Sequence, residues 1–182
     1  SAAITSTPMV IGQIIAYAGE YGIAQDPFSF AVYGYRKYFT DRNRNCVLRL
    51  SKDGITEISS YGMHDYFRDE LSNSTVTKVV GGWDIHNKNY VLHIALENNT
   101  GKTLSFDESV LGWTSFYSYK PIYVTSLVSN FYSFFDGTIY LHDSGAYGNY
   151  YGSTYNSDVT LILNSNPSVV KNFKTINYEG AS

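Results

Sequence analysis

Apolar and polar residues alternate in short runs along most of the chain, and turn residues separate the runs. Residues 46–50 form such a run, which meets Lys52-Asp53-Gly54 before residues 55–58 resume the pattern. Alternation with a period of two is typical of half-buried strands, and Asp-Gly between two strands indicates a tight hairpin. The sequence therefore predicts an all-β protein, in which residues 63–71 form the one plausible helix.

The predicted strands fall into three rounds, which begin near residues 28, 76 and 123. A spacing of about 45–50 residues is in the range of the four-stranded blades of β-propellers. In the third round, the fourth strand is predicted at residues 158–163. The pattern favours a propeller-like array of about three four-stranded blades, and a meandering β-sandwich is the alternative.

Three blades are too few to close a ring, because propellers typically have four to eight. Unclosed sheets leave strand edges and apolar faces exposed. We therefore expect the chain to be part of a larger protein or to be completed by neighbouring molecules. Along the chain, we predict an N-terminal entry segment at residues 1–27, a β-rich propeller-like domain at 28–166 and a C-terminal extension at 167–182.

Composition argues against two classes of partner. The 13 Lys and Arg residues are outnumbered by 16 Asp and Glu, and no basic stripe could follow a nucleic-acid backbone. The longest early apolar run, residues 9–16, is too short to cross a bilayer, so no membrane insertion is expected. Charged residues make up only 16% of the chain, whereas Tyr, which protein interfaces favour, occurs 18 times. The surface is therefore either adapted for contact with other proteins or simply polar and uncharged.

No constellation of catalytic or metal-binding residues stands out. Cys46 is the only cysteine and lies in an apolar run, which indicates a small buried side chain. His142 and Asp143 are neighbours, but adjacent residues on a strand point to opposite faces. Asp84 and His86 would share a face of a strand, yet they lie in a turn-rich segment. The sequence thus predicts no enzymatic activity, no metal site and no cofactor.

The aromatic residues divide into a predicted core set and a predicted contact set. The core set consists of Trp83, Trp113 and Phe116, which lie in apolar strand patterns. An exposed aromatic platform for sugar rings is the alternative for the stretch around Trp113. The loop at 147–155 has the Tyr, Ser, Gly and Asn composition of adaptable contact loops. Together with the C-terminal extension, it supplies the predicted contact residues Tyr147, Tyr150, Tyr151, Tyr155, Phe173 and Tyr178.

Several stretches resemble known phage proteins. They include AYAGEYGI at 16–23, FSFAVYGYRKYFTD at 28–41, WTSFYSY at 113–119 and FKTINYEG at 173–180. Together they resemble the large β-rich virion structural proteins of tailed bacteriophages, of the marine T4-like cyanophage type. The last two stretches also resemble tail and muzzle proteins of crAss-like phages, and FKTINYEG is the most specific of them.

The resemblance implies a long, β-rich protein with propeller-like parts, located in the virion at or near the tail. It implies other virion structural proteins as partners, in a homo- or hetero-oligomer, and it supplies no catalytic residues. The expected function is that of a non-enzymatic structural component of a tailed-phage virion, in the tail, neck or muzzle region, that acts through protein–protein packing. The alternative is a carbohydrate-binding module that attaches the particle to glycans on the host surface.

Overall fold

The computed structural model describes residues 16–17, 19–161, 166–172, 174–175 and 177. In these residues the chain has thirteen strands, one α-helix and three short 3₁₀ turns. The first of these elements is the 3₁₀ turn Pro27–Ser29 and the last is the strand Ser153–Thr154. The domain limits drawn from the sequence remain a prediction.

The first sheet is an antiparallel meander of four strands. Its strands are β1 (Ala31–Tyr33), β2 (Arg36–Asp41), β3 (Cys46–Ser51) and β4 (Gly54–Glu57). Ser51 pairs with Gly54 across a two-residue turn, so the hairpin predicted at Asp53-Gly54 is confirmed. Gly54 has φ +109°, a conformation that other residues rarely adopt.

Helix α1 (His64–Ser72) leads from the first sheet to the second. It agrees with the predicted helix at 63–71 to within one residue, and it buries Phe67 and Leu71. The second sheet repeats the four-stranded antiparallel meander. Its strands are β5 (Val76–Asp84), β6 (Asn89–Leu96), β7 (Gly101–Asp107) and β8 (Gly112–Tyr117).

The third sheet has three strands, followed by a short separate hairpin. Its strands are β9 (Tyr123–Leu127), β10 (Asn130–Phe135) and β11 (Thr138–Leu141), and the hairpin consists of β12 (Asn149–Tyr150) and β13 (Ser153–Thr154). The strand predicted at 158–163 is wrong for residues 158–161, which are exposed and belong to no strand, while 162–163 lie outside the described residues. Positive φ angles at Gly148 and Gly152 turn the chain into the hairpin instead.

The three sheets follow one another along the chain, and their first strands lie side by side. Strand β5 contacts β1 on one side and β9 on the other. Two glycines of β5 permit this close approach. A Cβ at Gly81 would lie 2.3 Å from the carbonyl oxygen of Ser29, and one at Gly82 would lie 2.6 Å from Cγ2 of Val124. The predicted all-β class is confirmed, with successive antiparallel sheets that form an open arrangement within the described residues.

A large apolar core fills the space between the first sheet, the second sheet and α1. The rings of Tyr38 and Tyr90 stack at 4.9 Å between their centroids, and Trp83 stacks on Tyr38 at 5.4 Å. A smaller core joins the second sheet to the third. It contains Val80, Val91, Tyr119, Val124 and Phe131.

A partly buried charged group also joins the first two sheets. Glu108, in the turn between β7 and β8, accepts a hydrogen bond of 2.7 Å from the hydroxyl of Tyr38. Its other carboxylate oxygen lies 2.6 Å from the Nη1 atom of Arg49. Burial, followed by the neighbouring Glu108, raises the pKa of Tyr38, so the phenol stays protonated as the donor. An ion pair held in this way is sensitive to the loss of either partner.

One buried histidine couples stability to pH. His93 is 3% exposed, and its Nδ1 atom lies 2.8 Å from Oγ1 of Thr103. Burial, followed by the charges of Lys78 and Lys120, lowers its pKa from 6.5 to about 4. In the unfolded chain His93 is therefore protonated as the pH falls through about 6.5, whereas in the folded chain it is protonated only near pH 4.

We expect this difference to make the protein less stable as the pH falls from 6.5 towards 4. The contribution of His93 is fully present above that range, and about 2 kcal/mol of it is lost by about pH 5. Urea unfolding at several pH values measures the effect. His93→Gln should reduce this loss of stability without abolishing it, because burial also lowers the pKa of His142. His64→Gln, at an exposed side chain, is the control. An unaltered profile for His93→Gln would contradict the assignment.

Candidate interaction surfaces

A cleft with a volume of about 450 Å³ lies between the β5–β6 turn and the segment that follows β11. The chain after β11 folds back towards the second sheet, and the β12–β13 hairpin forms one wall. The lining is rich in tyrosine and also carries carboxylate, imidazole and amide groups. It includes Asp84, His86, Asn87, Tyr117, Tyr119, Tyr140, His142, Asp143, Tyr147, Tyr150 and Tyr151.

The floor of this cleft is a packed aromatic cluster around Tyr119, which is 3% exposed. The rings of His142 and Tyr150 lie 4.5 Å and 5.1 Å from its ring. His142 places Nε2 2.6 Å from Oγ of Ser133, and the hydroxyl of Tyr151 donates to the same oxygen at 2.9 Å. Burial lowers the pKa of His142, so its imidazole is neutral at neutral pH and packs as an uncharged ring.

Asp84 organises the opposite wall. One oxygen of its buried carboxylate accepts hydrogen bonds from the backbone N–H groups of His86 and Asn87, at 2.9 Å and 3.1 Å. The side-chain amide of Asn87 donates to the other oxygen at 2.8 Å and reaches the carboxylate of Asp143 at 3.3 Å. Asp84 thus shapes the turn and bonds the backbone of His86. The geometry shows no catalytic pairing between this carboxylate and the imidazole.

The structure brings three of the four predicted tyrosines of the loop, Tyr147, Tyr150 and Tyr151, to this cleft, while Tyr155 lies outside its lining. Tyr151 anchors the loop, because its ring stacks on Phe135 with 4.6 Å between centroids and an interplanar angle of 2°. Tyr150 is half-buried against Tyr119. Tyr147 and Tyr155 are exposed, by 103% and 42%. The predicted contact residues Phe173 and Tyr178 lie outside the described residues.

The three aromatic residues predicted for the core differ in their surroundings. Trp83 is 6% exposed within the large core. Trp113 is half-buried against that core, and its indole N–H donates to the carbonyl of Ile58 at 3.0 Å. The prediction for Phe116 is wrong, since it is 61% exposed. Strand β8 is an edge strand, and Phe116 meets the ring of Tyr66 edge-on at 5.7 Å.

The third sheet presents an apolar outer face that sequence reasoning did not find. Its inner face packs against β5, through Val124 and Phe131. The pairing register places every second residue of each strand on the opposite face. There, Tyr123, Leu127, Ile139 and Leu141 are 42%, 65%, 60% and 44% exposed. We call this surface the outer face, which consists of Tyr123, Thr125, Leu127, Asn130, Tyr132, Phe134, Ile139 and Leu141.

A signal for the outer face was present in the sequence. The strands Tyr123–Leu127, Asn130–Phe135 and Thr138–Leu141 contain no Asp, Glu, Lys, Arg or His. Exposed edge strands in monomeric proteins usually carry charges or proline that prevent association. A three-stranded sheet without such residues therefore indicates a covered surface.

Neither a metal centre nor a membrane span emerges from the described part of the chain. No group of three or more His, Cys, Asp or Glu side chains there could hold a metal ion. In the same part, no helix has the length and apolar character needed to cross a bilayer.

Residues 145–182 match the family model of the Crassvirus muzzle protein C-terminal domain. A search of curated proteins found no match. The matched segment starts at Gly145. It therefore includes the loop at 147–155, which we call the tyrosine loop, with its β12–β13 hairpin, and the C-terminal extension. The predicted resemblance to muzzle proteins of crAss-like phages is therefore confirmed for this segment, and it links the chain to a structural component of the phage virion.

Proposed function

We propose that this chain is a non-enzymatic structural component of a tailed-phage virion. It resides in the tail, neck or muzzle region and acts by packing against other virion proteins. The observation that carries the proposal is the match of residues 145–182 to a muzzle protein domain. Localisation in the virion and virion proteins as partners follow from that match as parts of the same proposal.

The folding of the matched segment supports a role in contact. Its first part is fixed to the rest of the chain by Tyr150 and Tyr151, whose rings pack on Tyr119 and Phe135. Beyond the hairpin, the described residues up to Leu161 are exposed, and Val159 and Leu161 expose 82% and 74% of their surface. Exposed apolar residues of this kind gain free energy when another protein covers them.

Two ionisable groups of the cleft, Asp84 and His142, serve the fold, which supports a non-enzymatic role. The Asp84 carboxylate is occupied by two backbone N–H groups and the Asn87 amide. His142 is held between Tyr119 and Ser133. A general acid or base needs a free ionisable group near the reacting atoms.

Purified virions test the proposal. Mass spectrometry of gradient-purified particles should detect peptides of this chain at a constant ratio to the major capsid protein. Labelling with an antibody against the exposed segment 152–161 should place it at the tail vertex. Absence from the particles, with the chain abundant in the infected-cell lysate, would refute the virion role.

A second candidate function is the binding of host-surface glycans in the cleft. The observation in its favour is the exposed ring of Tyr147 in a cleft that also contains Asn87 and the exposed carboxylate of Asp143. Aromatic rings can stack on the apolar faces of sugars, while amides and carboxylates bind their hydroxyl groups.

A glycan array measures this activity. If the cleft binds sugars, Tyr147→Ala and Asp143→Ala should abolish a signal that Tyr35→Ala retains. Tyr35 is the matched control because it is 72% exposed but lies in the first sheet, at the turn between β1 and β2. Absence of any signal from the unaltered protein would exclude the glycan function for this chain.

A further inference from the structure

The cleft beside the tyrosine loop carries negative charge without a matching positive charge. Its lining contains two carboxylates, those of Asp84 and Asp143, and neither Lys nor Arg. All 13 Lys and Arg residues of the chain lie among the described residues, at positions outside this lining. Burial lowers the pKa of His142, so its imidazole adds no positive charge at neutral pH. A cation that neutralises the cleft would therefore come from another molecule.

Asp84 differs from the other buried aspartates in its partners. Asp26, Asp41 and Asp84 are 2%, 2% and 3% exposed. The Nε atom of Arg42 lies 3.0 Å from Asp26, and that of Arg44 lies 3.9 Å from Asp41. Within the described residues, Asp84 has hydrogen-bond donors as partners but no Lys or Arg. Because a buried charge is costly unless it is paired, the cleft that Asp84 lines favours a positively charged occupant.

Six tyrosines line the same cleft, and the negative faces of aromatic rings attract organic cations. Three tyrosines elsewhere in the described chain already hold a cation over the ring, in the pairs Arg44–Tyr21, Lys52–Tyr35 and Lys102–Tyr66. A metal ion fits the cleft less well, since hard cations need several oxygen ligands. No group of three or more acidic, histidine or cysteine side chains converges in the described part of the chain.

We propose that this cleft binds an arginine side chain that another virion protein inserts into it. The guanidinium would lie against the exposed ring of Tyr147 and donate to the carboxylate of Asp143. That carboxylate now accepts hydrogen bonds of 3.3 Å from the Asn87 amide, and a carboxylate has room for further donors. Arginine suits the cleft better than lysine, because its planar group both stacks on rings and binds carboxylates with two N–H groups. This inference rests on the proposed function, since it names the chemistry of one contact with a virion partner.

Titration of the purified chain with a capped Gly-Gly-Arg-Gly-Gly peptide tests the cleft. Backbone amide signals of residues 143–151 should shift in a saturable way, with a dissociation constant in the millimolar range, as expected for a single side chain. The same peptide with citrulline, a neutral side chain of nearly the same shape, should bind at least about tenfold more weakly, because it lacks the charge-assisted hydrogen bonds.

Two single substitutions assign the binding to the cleft. Asp143→Asn and Tyr147→Leu should each weaken peptide binding about three- to fivefold, since one removes the carboxylate and the other the aromatic face. Both side chains are exposed, so the fold should persist, and circular dichroism checks this. Asp53→Asn is the matched control, because it removes the same charge at the exposed turn between β3 and β4 and leaves Asn-Gly, which favours the same turn.

Equal binding of the arginine and citrulline peptides would overturn the proposal. Shifts that map outside the cleft would do so too, as would unchanged affinity in both cleft variants. A glycan that binds the cleft while the arginine peptide causes no saturable shift would assign the site to sugars instead. These measurements use the purified chain alone, so they do not bear on its presence in the virion, which mass spectrometry of the particles tests separately.

Discussion

Trp113→Ala is expected to lower the free energy of unfolding by about 3 kcal/mol, at the lower end of the range for a Trp-to-Ala change in a core. The indole packs between the rings of Phe67, at 4.5 Å, and Phe106, at 5.5 Å. Its N–H also satisfies the carbonyl of Ile58. The substitution would leave a cavity where α1 meets the second sheet. Chemical denaturation with tryptophan-independent detection, such as circular dichroism, measures the loss.

Phe116→Ala is the matched control, because it removes a large aromatic side chain from the same strand, β8. Phe116 is 61% exposed and packs edge-on against the ring of Tyr66. We expect a loss below about 1 kcal/mol, as for exposed positions in general. Equal losses for both variants would show that Trp113 is not a core residue. Lost sugar binding with unchanged stability in Trp113→Ala would indicate an aromatic platform instead.

Gly81→Ala is expected to be comparably damaging, although it adds a single methyl group. The new Cβ would lie 2.3 Å from the carbonyl oxygen of Ser29 and 2.5 Å from the hydroxyl of Tyr90. That hydroxyl now donates a buried hydrogen bond of 2.7 Å to the same carbonyl. Overpacking and the strained hydrogen bond together should cost about 3 kcal/mol. The melting temperature and the urea midpoint should both fall.

Gly112→Ala provides the comparison within the same sheet. A Cβ at Gly112 would find its nearest neighbour, the carbonyl oxygen of Val110, at 3.8 Å, which is ordinary contact. We expect a change within about 0.5 kcal/mol, because Ala also reduces the freedom of the unfolded chain. If Gly81→Ala were equally mild, the close approach of β5 to the 3₁₀ turn Pro27–Ser29 would be incorrect.

Local signals were sufficient to predict most strands of this fold. Strands β3 and β4 occur within one residue of the runs predicted at 46–50 and 55–58, because a period of two identifies a strand with one buried face. The Asp53-Gly54 turn fixed a hairpin for the same local reason. Such features depend on neighbours in the sequence, which is why one sequence is enough to find them.

Phe116 shows where local reasoning stops. Regular alternation places Trp113 and Phe116 on opposite faces, but the pairing of β7 with β8 shifts between Ser105 and Phe106. After this irregularity, Trp113 is opposite Phe106 and Phe116 is opposite Leu104, both on the core side of β7. Phe116 nevertheless stays exposed because β8 ends the sheet. A bulge and an edge position depend on the partner strand, which the alternation of one segment does not encode.

The cleft could not be predicted from local sequence either, because its walls come from segments that are distant in the sequence. Asn87 and Asp143 are 56 positions apart, and their contact exists because the chain after β11 returns to the β5–β6 turn. The tyrosine loop was identified by composition, but composition does not tell an anchoring ring from an exposed one. Tyr151 and Tyr147 differ in what surrounds them in space.

The sheets are held together by contacts of unequal extent, which implies that the third sheet unfolds locally before the first two. The first two sheets share stacked rings and the Glu108 carboxylate, whereas the third is held by the small apolar core and few hydrogen bonds, such as that from Ser126 to the carbonyl of Trp83. Cooperative units held by fewer buried contacts detach at lower free energy than the whole molecule. Backbone amides of β9–β11 should therefore exchange with deuterium through a partial opening that leaves β5–β7 protected. Protection against hydrogen exchange would thus be lost first in the third sheet, the most C-terminal of the three. A partner that covers the third sheet would slow this exchange.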